Sequence, residues 1–347
     1  MLVRLAGRTV LIVALALSTC TYASAQYKEI NLVSTGSPAT PHRDPNLVNG
    51  WGMAYLPGSP FWIGDTGTGH STLYDQFGNI IPLVVTIPPA PSQPFGPTGS
   101  PTGLVANMTA DFVVTENGVS GPSLFLFDTE DGTISGWNPN VDPTHAVIAV
   151  DNSSSHAFYT GLAFARNRTK TLIFAADAAN SKIDIYDGGF HLAKSFTDSS
   201  GGLGIYNVHN LNGLLYVTLA SLTPNQGGVV DVFDTNGNFI KRLIENGPGG
   251  PLQGAWGIAL APANFGPFSH ALLVGNVEDG HIHAFDPSTG GLLGEVKNEK
   301  GKPIVIGGLW ELVFGGGEPA NGKKNELFFA AGPDAYLRGL FGKIVAP

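Results

Sequence analysis

The stretch Phe174-Ala175-Ala176-Asp177-Ala178-Ala179-Asn180-Ser181-Lys182-Ile183-Asp184-Ile185-Tyr186-Asp187 joins an apolar run, a polar turn and a run in which apolar and polar residues alternate. A short apolar run bounded by turn residues reads as a strand buried on both faces, and alternation reads as a half-buried one. Together they predict a hairpin closed by Tyr186-Asp187, an aromatic followed by a polar residue. The closing pair recurs at Tyr74-Asp75, Trp137-Asn138, Phe233-Asp234, Phe285-Asp286 and, with Gly second, Phe341-Gly342, at steps of 63, 49, 47, 52 and 56 residues. Ten residues before its polar member stands another polar or Gly residue: Asp65, Asp128, Asp177, Asn276 and Gly332. The fourth copy breaks this offset, because Leu219 to Gly228 holds a longer loop.

A further strand precedes each hairpin, marked by Trp51-Gly52-Met53-Ala54, Thr102-Gly103-Leu104-Val105, Thr160-Gly161-Leu162-Ala163, Trp256-Gly257-Ile258-Ala259 and Trp310-Glu311-Leu312-Val313. Turns at Asp131-Gly132, Asn212-Gly213, Asn236-Gly237 and Asp279-Gly280 carry the residues that accept positive φ. Four strands per unit of roughly 50 residues, six times over, predict an all-β, six-bladed β-propeller. The last copy holds three strands, so Ile30-Asn31-Leu32-Val33 is expected to complete the last blade. Residues 26–347 read as one domain, with Pro82 to Pro101 an ordered, proline-rich loop over one face.

The composition agrees. With 47 Gly, 25 Pro and 13% charged residues in 347, the chain is rich in turns and poor in the Glu and Lys of exposed helices. Its 18 basic against 27 acidic residues supply no basic patch, so neither nucleic acid nor an anionic membrane is an expected partner.

Residues 1–25 read as a signal peptide: Arg4 and Arg8 precede the apolar run Thr9 to Leu17, and Ala23-Ser24-Ala25 offers a cleavage site before Gln26. The run is too short to span a bilayer. Cleavage would remove 25 residues, leaving 322, discard Cys20, the sole cysteine, and take the charge from −9 to −11 by losing two arginines. The expected product is a secreted or periplasmic monomer without a membrane anchor.

The run from Phe174 to Asp187 resembles a propeller repeat of the NHL type. The whole mature chain resembles an uncharacterised family of secreted bacterial six-bladed propellers, on Asp44 to Gly52, Pro60-Phe61-Trp62, Ser71-Thr72-Leu73-Tyr74, Glu130 to Asn138, Gly257 to Pro262 and Ala271 to Asn276. It departs at Asn49-Gly50-Trp51-Gly52, where that family has Asn-Pro-Trp-Gly, and at Glu311, where it has Gly. The resemblance implies a fold and an extracellular location but no activity.

By analogy with other propellers, chemistry is expected around the central channel, on the face where the inner strands begin. Glu130, Asn207, Asp65 and Asp177 are the candidate ligands for a hard, oxygen-loving cation such as Ca²⁺. Asp65, Asp128, Asp177 and Asn276 repeat in register, which also fits a capping role in each turn. Glu311, Glu278 and His156 are the candidate catalytic groups, the two glutamates because symmetry does not account for them. Trp51, Tyr159, Trp256 and Trp310 are candidates for an aromatic rim that binds a glycan, peptide, protein or small molecule. The leading expectation is an extracellular binding scaffold. The alternative, on a resemblance to secreted six-bladed lactonases, is a Ca²⁺-assisted lactonase or esterase, in which the metal polarises the carbonyl and a His or carboxylate activates water. Last comes a Zn²⁺ lyase, which some NHL-like propellers are; His281 and His283 alternate on one strand, and His209, His156 and His70 come from other blades.

Overall fold

A computed structural model describes residues 27–92, 96–168, 170–221 and 223–347. The expected signal peptide lies outside the described residues. Six sheets form the blades of a propeller. The first four-stranded sheet comprises Gly50–Ala54, Phe61–Asp65, His70–Tyr74 and Ile80–Thr86 in spatial order. The second runs Pro101–Ala106, Phe125–Thr129, Thr133–Trp137 and Val147–Asp151, with a small extra hairpin, Val113–Glu116 and Val119–Pro122, inserted after its inner strand. The third comprises Tyr159–Asn167, Lys170–Asp177, Lys182–Asp187 and Leu192–Thr197, and the fourth Leu203–Leu211, Leu214–Ala220, Gly228–Asp234 and Phe239–Asn246. The fifth comprises Ala255–Leu260, Leu272–Asn276, Ile282–Phe285 and Leu292–Glu295. The sixth takes Leu309–Phe314, Glu326–Ala331 and Leu340–Val345 from the end of the chain and Lys28–Ser34 from its beginning. Ile30 pairs with Lys343 in that closure, as the sequence predicted.

The packing explains why the second strands read as unbroken apolar runs. In the third blade Leu172, Phe174 and Ala176 face the fourth blade, whereas Ile173 and Ala175 face the second. Successive side chains of a strand point to opposite faces, so a sheet sandwiched between two others must be apolar on both. Similar apolar layers fill the other junctions between successive blades, and each fully buried Leu, Ile or Phe contributes on the order of 1.5–3 kcal/mol. The polar member of the repeating pair has a different task. Asp75, Asp187, Asp234 and Asp286 each accept backbone N–H bonds from the turn that follows the third strand of their blade. The aromatic before each is buried in an interblade layer. One edge differs from expectation: Pro82 lies inside the outermost strand of the first blade, where a missing donor faces no neighbour, and the connecting loop starts after Thr86. That loop is fastened to the second blade where Ala90 N donates to Asp131 Oδ2 at 2.7 Å.

A central plug and an off-axis cavity

Every inner strand carries an irregularity at the same place. The ladder skips Trp51-Gly52, Thr102-Gly103, Thr160-Gly161, Tyr206, Trp256-Gly257 and Trp310 in the six blades in turn. A bulge re-aims a side chain, and here it brings the aromatic members together. Trp51 and Trp310 stack at 3.5 Å between ring centroids, Trp256 meets both edge-on at about 6 Å, and Tyr206 lies 6.3 Å from Trp310. The three tryptophans are at most 4% exposed. They pack on one another as a plug, and the expected aromatic rim therefore presents almost no open face to a ligand.

The plug is stitched to its neighbours. Trp256 Nε1 donates to the Thr160 carbonyl at 2.8 Å, and Trp310 Nε1 to Asn49 Oδ1 at 2.8 Å. Thr102 Oγ1 donates to the Tyr159 carbonyl and Thr160 Oγ1 to the Tyr206 carbonyl, each one blade further on. The glycine after the bulged residue permits this approach: a Cβ at Gly103 would lie 2.2 Å from the Leu162 amide nitrogen.

Asn207 and Glu311 stand where four blades have that glycine. Asn207 Oδ1 accepts its neighbour's amide, Val208 N–H, at 2.7 Å and its Nδ2 donates to the Trp256 carbonyl at 3.0 Å. Glu311 likewise accepts Leu312 N–H at 2.9 Å. His209, on the same strand as Asn207, links them: its Nε2 lies 2.8 Å from Asn207 Nδ2 and 3.7 Å from Glu311 Oε1. Burial pushes the Glu311 carboxyl well above the ordinary range and pulls His209 down to about 4. His209 therefore stays neutral near pH 7, and its 3.7 Å approach to Glu311 is a polar contact rather than an ion pair. The structure thus joins Glu311 to Asn207 and adds His209, which the sequence reading had not placed beside them. Aligning Trp51-Gly52-Met53 with Tyr206-Asn207-Val208 and Trp310-Glu311-Leu312 is the signal that finds the first two.

The remaining candidates are dispersed. Asp65 is fully buried at the end of its strand, and burial, with Asp44 nearby, raises its pKa well above normal. Asp177 Oδ1 accepts the amides of Phe158 and Asn180, and its Oδ2 accepts Asn180 Nδ2. Asp128 Oδ1 likewise accepts Gly103 N–H at 2.6 Å and Thr102 Oγ1 at 2.8 Å. Asp128 and Asp177 thus hold the start of an inner strand in place, whereas both Asp65 oxygens are buried without a hydrogen-bond partner, and Asp65, Asp177 and Glu130 form no compact carboxylate cluster among the described residues. Among the described residues, the one cluster of His, Asp and Glu compact enough for a metal lies elsewhere, at His281, His283 and Glu295. Tyr159 is also turned inward. Its hydroxyl contacts Asn152 Nδ2 at 2.7 Å, the Tyr186 hydroxyl at 3.0 Å and Asp184 at 3.2 Å, so it serves the interblade layer.

Two blades bring threonine, not an aromatic, to the bulge, and beside one of these, Thr160, a cavity of about 660 Å³ opens on the face where the inner strands begin. Its walls include Ala157, Phe158, Ala178, Ile205 and Ala220. His156, in the left-handed region at φ 54° after a short 3-10 turn, Asp131, Thr160 and Tyr206 bring polar groups to it. Glu130 lies next in sequence to Asp131, and its carboxyl is pushed up to about 7 by burial and then by the Asp131 charge. Glu130 and Glu278 both raise the pKa of the Tyr206 hydroxyl, behind the larger effects of its burial and of Tyr336. Glu278 is exposed, and its Oε2 accepts Asn225 N–H at 3.0 Å.

No family model matches the chain. Two proteins of Acanthamoeba polyphaga mimivirus do match it along most of its length. "Uncharacterized protein R648" is 32% identical over 333 residues, covering 90% of this chain and 78% of its own, and "Uncharacterized protein L690" is 30% identical over 342 residues, covering 93% and 87%. The chain belongs to their family. Among solved structures, a streptogramin B lyase superposes with a TM-score of 0.54 at 12% identity, over 93% of this chain and 98% of its own. A gluconolactonase of Xanthomonas campestris reaches 0.50 at 12% identity, over 87% and 88%. At that identity these likenesses establish the six-bladed fold alone. The relatives that define the family are viral, whereas the sequence resemblance had pointed to bacteria.

Proposed function

We propose that the protein is a ligand-binding propeller whose site is the cavity between the third and fourth blades, and that it takes a small, largely apolar molecule. The observation that carries this reading is the cavity itself: about 660 Å³, walled by alanine, phenylalanine and isoleucine, with a few polar groups on one side. Binding sites for small molecules have this size and make-up. A glycan would need open aromatic faces, and the three tryptophans keep theirs against one another. The Ca²⁺-assisted hydrolase has less support, since Asp177 and Asn207 already spend their oxygens on neighbouring protein groups.

The test uses Nile red, a neutral apolar dye. Its emission is expected to rise on mixing with the wild-type protein. Ala178→Trp, which fills the cavity from its wall, should weaken that binding at least about ten-fold while the melting temperature is kept. Equal binding by both proteins rejects the assignment.

Export accompanies this reading. Tyr27, two residues beyond the Ala23-Ser24-Ala25 site, is fully buried with its hydroxyl bonded to the Phe265 carbonyl at 2.9 Å, so a chain cut after Ala25 would keep this anchor.

A further inference from the structure

We infer that the outer hairpin of the fifth blade is a binding site for a single zinc-class divalent ion, held by His281, His283 and Glu295. The three offer ligand atoms that all lie within 4.8 Å of one another. Backbone geometry makes the arrangement. His281 and His283 are two apart and so share one face of the third strand. Glu295, in the outermost strand, is the cross-strand partner of His283 and lies on that same face.

The hydrogen bonds leave room for an ion. Glu295 divides its oxygens: Oε1 is 2.6 Å from His281 Nδ1, while Oε2 is 3.9 Å from Lys297 Nζ. His283 Nδ1 is buried and meets no donor or acceptor. A buried imidazole nitrogen without a partner is costly, and coordination by a metal would satisfy it. Two imidazoles and one carboxylate are a donor set that suits Zn²⁺ and its first-row neighbours and leaves a fourth position for water. Each residue is only partly exposed, so the ion would reach the site from solvent without opening the fold. The site lies on the two outer strands, apart from the cavity and the plug. Its consequence is mechanical: one ion ties the outermost strand to its neighbour at the point where the sheet is least covered.

The experiment uses the full chain stripped of metal by a chelator. Titration with Co²⁺, followed by its visible absorption, and displacement by Zn²⁺ should give one site per chain, with Ca²⁺ and Mg²⁺ failing to compete. Glu295→Gln keeps the side-chain shape and removes the charge, and His283→Gln removes a ligand. Each is expected to weaken Zn²⁺ binding by at least about ten-fold, as even the loss of an outer supporting group can do. Zn²⁺ should also raise the melting temperature of the wild type and leave that of Glu295→Gln unchanged. No uptake by the wild type at micromolar Zn²⁺, or equal affinity in wild type and Glu295→Gln, overturns the inference.

Discussion

The first, fourth, fifth and sixth blades and the second and third share one backbone device and use it oppositely. In all six a bulge turns one inner-strand residue towards the channel. Where that residue is Trp51, Tyr206, Trp256 or Trp310 it joins the plug, and where it is Thr102 or Thr160 it ties neighbouring strands. The cavity opens beside Thr160, and Tyr206 both joins the plug and lines that cavity. A site in a symmetric ring is therefore best sought where the repeat is locally small.

The largest test compares the two kinds of residue directly. Trp256→Ala removes a fully buried ring and its bond to Thr160, and is expected to cost about 3–5 kcal/mol in urea unfolding. Thr160→Val, which loses one hydrogen bond, should cost only about 1 kcal/mol. Equal costs would mean that the threonine ties hold the ring as firmly as the plug does.

A second comparison concerns glycines. Gly103→Ala forces a Cβ against the Leu162 backbone and is expected to cost about 1–3 kcal/mol through overpacking. Gly204→Ala, at the cavity wall, meets nothing nearer than Ser181 Oγ at 3.5 Å and should stay within about 0.5 kcal/mol. A reversed order would show that the tight contact between inner strands relaxes at little cost.

A further test is one of pH. Asp128 and Glu130, both in the second blade, are each raised to about 7 by burial, from unfolded values near 4. Between those values the folded protein holds protons that the unfolded chain has released, so stability falls as pH rises from about 4 to 7. The melting temperature should be higher at pH 5.5 than at pH 8. Asp128→Asn should flatten that slope. A slope that survives Asp128→Asn unchanged would place the proton elsewhere.

Most of the fold was legible because it rests on local chemistry. Asp187 caps its own turn, Tyr186 fills the layer beside it, and both recur at a period that the sequence displays. Ring closure was legible for a simple reason: the last copy lacks one strand, and Ile30 to Val33 supply it. The site was much less so. Glu311 stood out by breaking symmetry, and so did Glu278, yet one is bonded to its own backbone inside the channel and the other lies exposed at its mouth. His209 carried no signal that tied it to Glu311, since that contact arises between strands of two different blades. The cavity was invisible for the opposite reason, because Thr160 looks ordinary until set beside the tryptophans of the other blades.

The closing strand has a consequence in time. Val33 pairs with Phe341, so the first strand of the fold made on a ribosome, which early on has only the short parallel partner His42–Arg43, meets its antiparallel partner only when the last strand is finished. Until then Leu32 and Val33, buried in the finished ring, have no sheet to cover them. Such distant pairing is slow and leaves unfinished chains prone to association.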